Sequence, residues 1–259
     1  MKNTIFTDQL NRTIHLPFLP KRIISLVPSQ TELLYHLGLE NEVVGITKFC
    51  VHPPQWFRTK QRIGGTKTYN LDTIAALKPD LIIANKEEND QQQVEAMAEK
   101  YPVWISDIKN LTDALDMIKR VGELVGQATK ADQLAEDIEH KFSNLPVHNS
   151  LQTALYFVWR EPYMVAGGDT FIHSMMRYAG FQNIYGHQQR YPTITLQELS
   201  DTQPEVILLP SEPFPFKERH IADFKEICPN AKVELVDGEL YSWYGSRLLK
   251  AADVFSENS

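Results

Sequence analysis

Two loop clusters hold most of the residues with the chemistry to grip a ligand. Trp159-Arg160-Glu161-Pro162-Tyr163 follows an apolar run that reads as a strand, and Trp243-Tyr244-Gly245-Ser246-Arg247 stands where a closing helix begins. Large flat rings bury area against flat ligands at little entropic cost. Arg160, Arg190 and Arg247 are suited to carboxylates or phosphates through paired N–H bonds. A third cluster, Pro28-Ser29-Gln30-Thr31, joins the apolar run Ile23–Val27 to a helix pattern. It brings a strand end and a helix N-terminus to one sheet edge, where open α/β sheets bind ligands. Its backbone amides, more than its side chains, are expected to meet the ligand.

Catalytic patterns are missing. The chain has no Gly-x-Ser-x-Gly elbow, no P-loop and no Gly-x-Gly-x-x-Gly. Gly167-Gly168-Asp169-Thr170 reads as a turn with an N-cap, with an anion at the following helix as the alternative. His52, His173 and His187 lack the spacing of a metal site. His52, beside Pro53, is the one candidate for an axial contact to a chelated metal. Cys50 and Cys228 are too few for structural zinc and read as buried thiols. Asp72 and Glu198 fall on separate helices, so they make no acid–base pair acting on one bond. No catalytic residue and no intrinsic cofactor is expected.

The elements that position these residues alternate. Glu42–Thr47, Asp80–Ala84 and Val103–Ile105 read as strands between helices at 70–77 and 91–100, which implies a mainly parallel sheet. The expected strand at 23–27 ends at Pro28, with Ser29 or Thr31 as helix cap. The stretch from Phe49 to Tyr69 reads as one long loop, a length that favours function. Leu111, Leu115, Ile118, Val121 and Val125 mark an amphipathic helix, and Leu134, Ile138 and Phe142 mark a second. Residues 144–150 read as a linker. A second alternating region follows, with strands at 155–159, 206–209 and 233–236. Residues 4–20 read as an edge hairpin or arm.

The two halves repeat. Leu71 precedes Pro79 by eight residues, and Asp80-Leu81-Ile82-Ile83 follows; Leu196 precedes Pro204 by eight, and Glu205-Val206-Ile207-Leu208 follows. The expected fold is α/β: two similar αβ lobes with central, mainly parallel sheets, joined by a single long backbone helix, with a ligand cleft between the lobes. The expected division is 1–128 for the N-terminal lobe, 129–149 for the connecting helix and linker, and 150–259 for the C-terminal lobe.

The 259 residues are 42% hydrophobic and 23% charged, with a formal net charge of −7. That composition suits a folded globular chain and opposes nucleic-acid binding. No apolar run approaches the roughly 20 residues of a membrane span. The N-terminal residues lack the apolar core of a signal peptide, which leaves a cytoplasmic site or a lost leader.

Arg22-Ile23-Ile24-Ser25-Leu26-Val27-Pro28-Ser29-Gln30-Thr31-Glu32-Leu33 and Asn70-Leu71-Asp72-Thr73-Ile74-Ala75-Ala76-Leu77-Lys78-Pro79-Asp80-Leu81-Ile82-Ile83 resemble the two opening signatures of a family. It is that of the helical-backbone (class III) substrate-binding proteins of ABC importers, and the resemblance covers about residues 20–255. Val43-Val44-Gly45-Ile46 and the Pro53-Pro54 loop are most similar to its cobalamin-binding branch. The resemblance implies a monomer of the periplasm or cell envelope whose partners are a metal chelate, a corrinoid such as cobalamin first, and an importer permease. A ferric-siderophore or heme receptor is the alternative within the family. A cytosolic tetrapyrrole-handling enzyme or chaperone is the alternative from another class. The ligand contacts expected are Pro28, Ser29, Gln30, Tyr69, Trp159, Arg160, Tyr191, Trp243, Tyr244 and Arg247, with Tyr191 matching a family aromatic by position. Thr66 stands where a further aromatic is expected. Permease docking falls by motif on Asp72 in the first lobe and on Gln197, with Glu198 beside it, in the second.

Overall fold

The computed structural model describes residues 4–147 and 150–257. Residues 148 and 149 of the expected linker, and residues 1–3 of the polar N-terminus, lie outside the described residues. In chain order the hairpin β1 (Thr4–Thr7) and β2 (Thr13–Leu16) leads to β3 (Ile23–Ser25), α1 (Pro28–His36) and β4 (Val43–Ile46). Then follow α2 (Pro54–Thr59), β5 (Gln61–Arg62), α3 (Leu71–Leu77), β6 (Leu81–Asn85), α4 (Gln91–Ala98) and β7 (Val103–Ser106). After α5 (Leu111–Leu124) and α6 (Ala128–Ser143) come β8 (Gln152–Trp159), β9 (Met164–Val165), α7 (Phe171–Tyr178) and β10 (Phe181–Asn183). The chain continues with α8 (Leu196–Thr202), β11 (Val206–Pro210), α9 (Glu218–Ile227), β12 (Lys232–Val236), α10 (Glu239–Ser242) and α11 (Arg247–Glu257).

These elements form two compact units. The first runs to Ile108 and takes in Thr112–Glu139 and Tyr244–Arg247. The second comprises Lys109–Leu111, His140–Trp243 and the chain from Leu248 on. The first unit holds a five-stranded sheet, all parallel, in the order β5-β4-β3-β6-β7. The second holds the order β10-β8-β11-β12, parallel throughout, with β9 antiparallel beside β8. Every residue of β3, β6 and β11 is buried, as strands covered on both faces must be. This is the α/β class with two mainly parallel sheets that the alternation implies.

Packing follows the apolar pattern. In the second unit Leu155, Phe157, Ile207 and Leu209 share one sheet face with Leu199 and Phe224 from α8 and α9. In the first, α5 and α6 cross closely at Gly122, where an added Cβ would sit 2.1 Å from that of Ala131. No larger residue fits there without moving a helix. Lys130 of α6 donates to Leu37 O at 3.1 Å, satisfying a terminal carbonyl of α1.

Two local expectations are corrected. Pro28 does not end the strand; β3 stops at Ser25 and Pro28 opens α1, with Val27 as an N-cap that makes no side-chain bond. Proline suits that first position, since its fixed φ is helical and its missing N–H would have had no partner. Ser29 and Thr31 therefore lie inside the first turn. The stretch from Phe49 to Tyr69 is also not one loop. It contains α2 and β5, and an antiparallel bridge pairs Gly64 with Tyr69. The hairpin over 4–20 is present, with Thr4 opposite Leu16.

Candidate functional site

The carboxyl edge of the first sheet is lined by a buried polar network. Thr31 Oγ1 donates to Val27 O at 2.9 Å and lies 2.8 Å from Ser25 Oγ, tying the first turn of α1 back to β3. Gln30 Nε2 donates to Ser106 Oγ at 2.6 Å, and Asn85 Nδ2 reaches the same oxygen at 3.0 Å. Asn85 Oδ1 accepts from the N–H groups of Glu87 and Glu88, at 2.8 and 2.9 Å, and so shapes the loop after β6. Asn89 Oδ1 accepts from Asn85 N at 2.7 Å. The ends of β3, β6 and β7 are thus cross-linked by neutral amides and hydroxyls.

Around this network stand the first unit's expected ligand contacts. Pro28, Ser29 and Gln30 are buried. Tyr69 is buried, and its hydroxyl donates to Thr66 O at 2.5 Å; burial pushes its pKa up. The segment Tyr244–Arg247 packs against α1. A Cβ at Gly245, which holds a φ of +155°, would come within 3.2 Å of Ser29 O. Tyr244 is buried and donates to Glu88 Oε1 at 2.5 Å; burial first, and then the Glu88 charge, push its phenol well above the usual value. Arg247 grips Glu32 bidentately at 2.8 and 3.0 Å. The structure therefore brings Pro28, Ser29, Gln30, Tyr244 and Arg247 together. Tyr69 joins the same edge through Thr66 O, which also accepts from Asn89 Nδ2 at 3.2 Å.

The second unit presents a different surface. Trp159, at the end of β8, is 42% exposed and meets Phe214 edge-on at 5.5 Å between ring centroids. Phe214 follows β11 and packs on Phe216 at 4.7 Å and His220 at 5.6 Å. Together Trp159 and Phe214 form an aromatic ledge over adjacent strand ends. Arg160 beside it pairs with Asp223 at 2.7 Å. Tyr191 is half-buried, with the Arg190 guanidinium 5.8 Å from its ring. Trp243 is buried, and its indole donates to Glu212 Oε1 at 2.6 Å, where Ser242 Oγ adds a bond at 3.0 Å. Burial raises the pKa of Glu212 despite those bonds.

Gly167-Gly168-Asp169-Thr170 is a turn with an N-cap: Thr170 Oγ1 accepts from His173 N at 3.2 Å. Its glycines are required by the loop packed on it, since a Cβ at Gly168 would lie 2.0 Å from Gly186 O. His52 is partly buried and precedes Pro53 through a cis bond. Among the described residues, no group of three or more His, Cys, Asp or Glu is placed to hold a metal ion. Cys50 is buried, bonded to Thr31 and Thr47, and its thiol is pushed up to about 11, which keeps it unreactive at neutral pH.

The docking candidates differ between units. Asp72 is exposed on the first turn of α3. Gln197 donates to Asp201 at 2.8 Å, and the Glu198 carboxylate is engaged by Thr195. Phe214, Glu212, Asn85, Asn89 and Ser106 enter the strand-end surfaces without having been singled out from sequence. For Phe214 the signal was there: an aromatic between two prolines in the loop after a fully apolar strand.

Comparison with known proteins places the chain in a family. Residues 23–225 match the family described as periplasmic binding protein. The vitamin B12-binding protein of Pectobacterium carotovorum subsp. carotovorum is 25% identical over 241 residues, covering 90% of this chain and 86% of that protein. An uncharacterised ABC transporter substrate-binding lipoprotein of Bacillus subtilis is 24% identical over 265 residues, 97% of this chain and 83% of that one. The crystal structure of the periplasmic vitamin B12-binding protein of Vibrio cholerae superposes with a TM-score of 0.75 at 22% identity, covering 93% of this chain and 97% of that one. No helix among the described residues is long and apolar enough to cross a membrane. With a family match over most of its length and two mainly parallel sheets, the chain belongs to the periplasmic binding protein family, in the helical-backbone class that serves ABC importers.

Proposed function

We propose that this chain captures a metal chelate, a corrinoid first among them, and delivers it to an importer permease without catalysing a reaction. The observation that carries the reading is the likeness to a vitamin B12-binding protein along 90% of the chain. Two features of the strand ends support it. The Trp159–Phe214 ledge offers ring faces and edges to a flat ligand. The first sheet's edge is held rigid by the mutual hydrogen bonds of Gln30, Asn85, Asn89 and Ser106, a fixed wall for a ligand to rest on. Tyr69, Tyr191, Trp243, Tyr244 and Arg247 frame those surfaces in this reading, and His52 remains the candidate for an axial contact.

The rest of the assignment follows from the same reading. The chain works as a monomer in the periplasm or on the cell envelope, with lobes at 1–128 and 150–259 about a connector at 129–149. Asp72 docks the first lobe on the permease, and Gln197 with Glu198 marks the matching place on the second. Titration of the full-length chain with cyanocobalamin, cobinamide, hemin and ferrichrome, followed by tryptophan fluorescence, tests the ligand class. Binding at micromolar or tighter Kd, or roughly −8 kcal/mol or better, is expected for the corrinoids. Preference for hemin or ferrichrome would replace corrinoid by heme or siderophore, and no binding to any of the four would overturn the chelate reading.

A further inference from the structure

Helices α3 and α8 correspond residue by residue. Asn70 and Thr195 are their N-caps, and each helix buries one residue, Ile74 or Leu199, four places after its cap. Matching caps and matching anchors turn the same side of each helix to solvent. Leu71 and Leu196, the first residues of the two helices, confirm the match by being 52% and 54% exposed. The position after them is Asp72 in α3 and Gln197 in α8, both exposed. One turn on, the same face carries Ala76 in the first helix and Asp201 in the second, again both exposed. Residues four apart share a helix face, whereas sequence neighbours are turned about 100° from each other. Glu198, next to Gln197, is therefore off this face and Asp201 is on it. Each face carries one carboxylate, and in α8 it stands one turn later, about 6 Å along the axis.

The acids around α8 divide by task. Glu198 Oε2 accepts from Thr195 N and Oγ1 at 2.7 and 2.8 Å and closes the capping box. Glu205 accepts from the N–H and hydroxyl of Thr153 in β8. Asp201 holds neither a cap nor a strand. Its Oδ1 accepts from Gln197 Nε2 at 2.8 Å, along the exposed face. An exposed amide–carboxylate bond one turn long is weak, and a guanidinium, charged and able to bond through two N–H groups, displaces it.

We propose that Asp201, and not Glu198, is the carboxylate that the second unit offers to a cationic side chain of the importer permease, with Gln197 as its positioning residue. The assignment rests on the reading of α3 and α8 as docking places, and it moves the second charged contact by one turn. The exchange of acid and amide between Asp72 and Gln197 then shifts the docking charge without removing it.

Association of the full-length chain with the permease of its importer, held in lipid nanodiscs and measured at about 50 and about 200 mM salt, tests this. Asp201→Asn should slow association roughly fivefold or more at the lower salt and flatten its salt dependence, since a charged contact acts chiefly on encounter. Asp201→Glu should restore both, which a purely structural role would not require. Glu198→Gln should keep the wild-type salt dependence. Near-ultraviolet circular dichroism should match wild type in all three. Loss of the salt dependence in Glu198→Gln alone would return the contact to Glu198 and overturn the proposal. Wild-type association of Asp201→Asn beside an impaired Asp72→Asn would also overturn it, and would leave the docking reading standing. Wild-type association of both Asn variants, or no association of the wild-type chain, would overturn the docking reading and this contact with it.

Discussion

Two stretches of this chain are the same mechanical part built twice. In the first unit Asn70 caps the seven-residue helix α3, Lys78 ends it in the left-handed region, and Pro79 leads into the buried five-residue strand β6. In the second, Thr195 caps the seven-residue α8, Gln203 ends it left-handed, and Pro204 leads into the buried five-residue β11. Even the acid after the proline does equivalent work. Asp80 accepts from the N–H groups of Lys21 and Arg22 just before β3, at 2.9 and 2.8 Å. Glu205 accepts from the N–H and hydroxyl of Thr153 in β8, at 2.6 and 2.8 Å. Each acid staples the start of its sheet's neighbouring central strand. What differs is the outward chemistry of the helix. Asp72 is exposed with no ion pair or hydrogen bond among the described residues, whereas Glu198 is committed to its own helix cap. Inside each unit the two stretches do the same work, and at the surface their chemistry differs.

The largest expected effect breaks that comparison at the surface. If the proposed docking role is right, Asp72→Ala should lower permease-dependent uptake by roughly tenfold or more while leaving cargo Kd unchanged, since a charge at an interface has no solvent substitute once paired. Glu198→Ala should lower uptake much less, because its carboxylate is already occupied by Thr195. Uptake assayed in reconstituted vesicles, with Kd measured beside it, separates the two. Equal losses from both would show that Glu198 leaves its cap to dock, and the lobes would then be functionally alike.

The repeat was legible because it is written in local terms: a cap, a seven-residue helix, a proline and an apolar run all lie within sixteen residues. The parallel strands were legible for the same reason. Site geometry was not, because its pairings are long-range. Tyr244 meets Glu88 across 156 positions and Arg247 meets Glu32 across 215. Nothing near Trp243 or Tyr244 signals that both rings are buried, one donating to Glu212 and the other to Glu88. The misplaced start of α1 has a different cause. A proline after an apolar run suits a strand end and a helix start equally, and only the strand register, with Ser25 opposite both Ile46 and Ile83, decides between them.

The caps give the next effect down. Thr195→Ala and Asn70→Ala each remove a side chain that accepts an N3 backbone N–H, at a cost of about 1 kcal/mol in helix stability. Only α8 should add a pH dependence. The bonds from the Thr195 N–H and hydroxyl hold the Glu198 carboxyl below the usual carboxylate range. A carboxylate whose folded pKa is depressed contributes stability above its unfolded pKa, and that contribution is lost as pH falls through the folded value. Amide hydrogen exchange in α8 should therefore accelerate on acidification, beyond the intrinsic rate, and Glu198→Gln should remove that extra sensitivity. An α3 that responds in the same way would mean that the capping box is not what sets the two helices apart.

The smallest effect sharpens the comparison where the copies agree. Lys78 and Gln203 hold φ values of 47° and 48°, a region that costs residues with a Cβ and that glycine enters freely. Glycine also gains entropy in the unfolded chain, which cancels part of the benefit. The net gain expected from Lys78→Gly or from Gln203→Gly is about 0.5 kcal/mol. Because the two positions share one backbone conformation and are both followed by proline, the gains should match within a few tenths of a kcal/mol. They should also add in the double variant, since the sites belong to separate units. Urea midpoints of the two single variants and the double read this directly. A gain at one position alone would mean that the other side chain earns its strained backbone through a contact, and the two copies would then differ inside the lobe as well as on its surface.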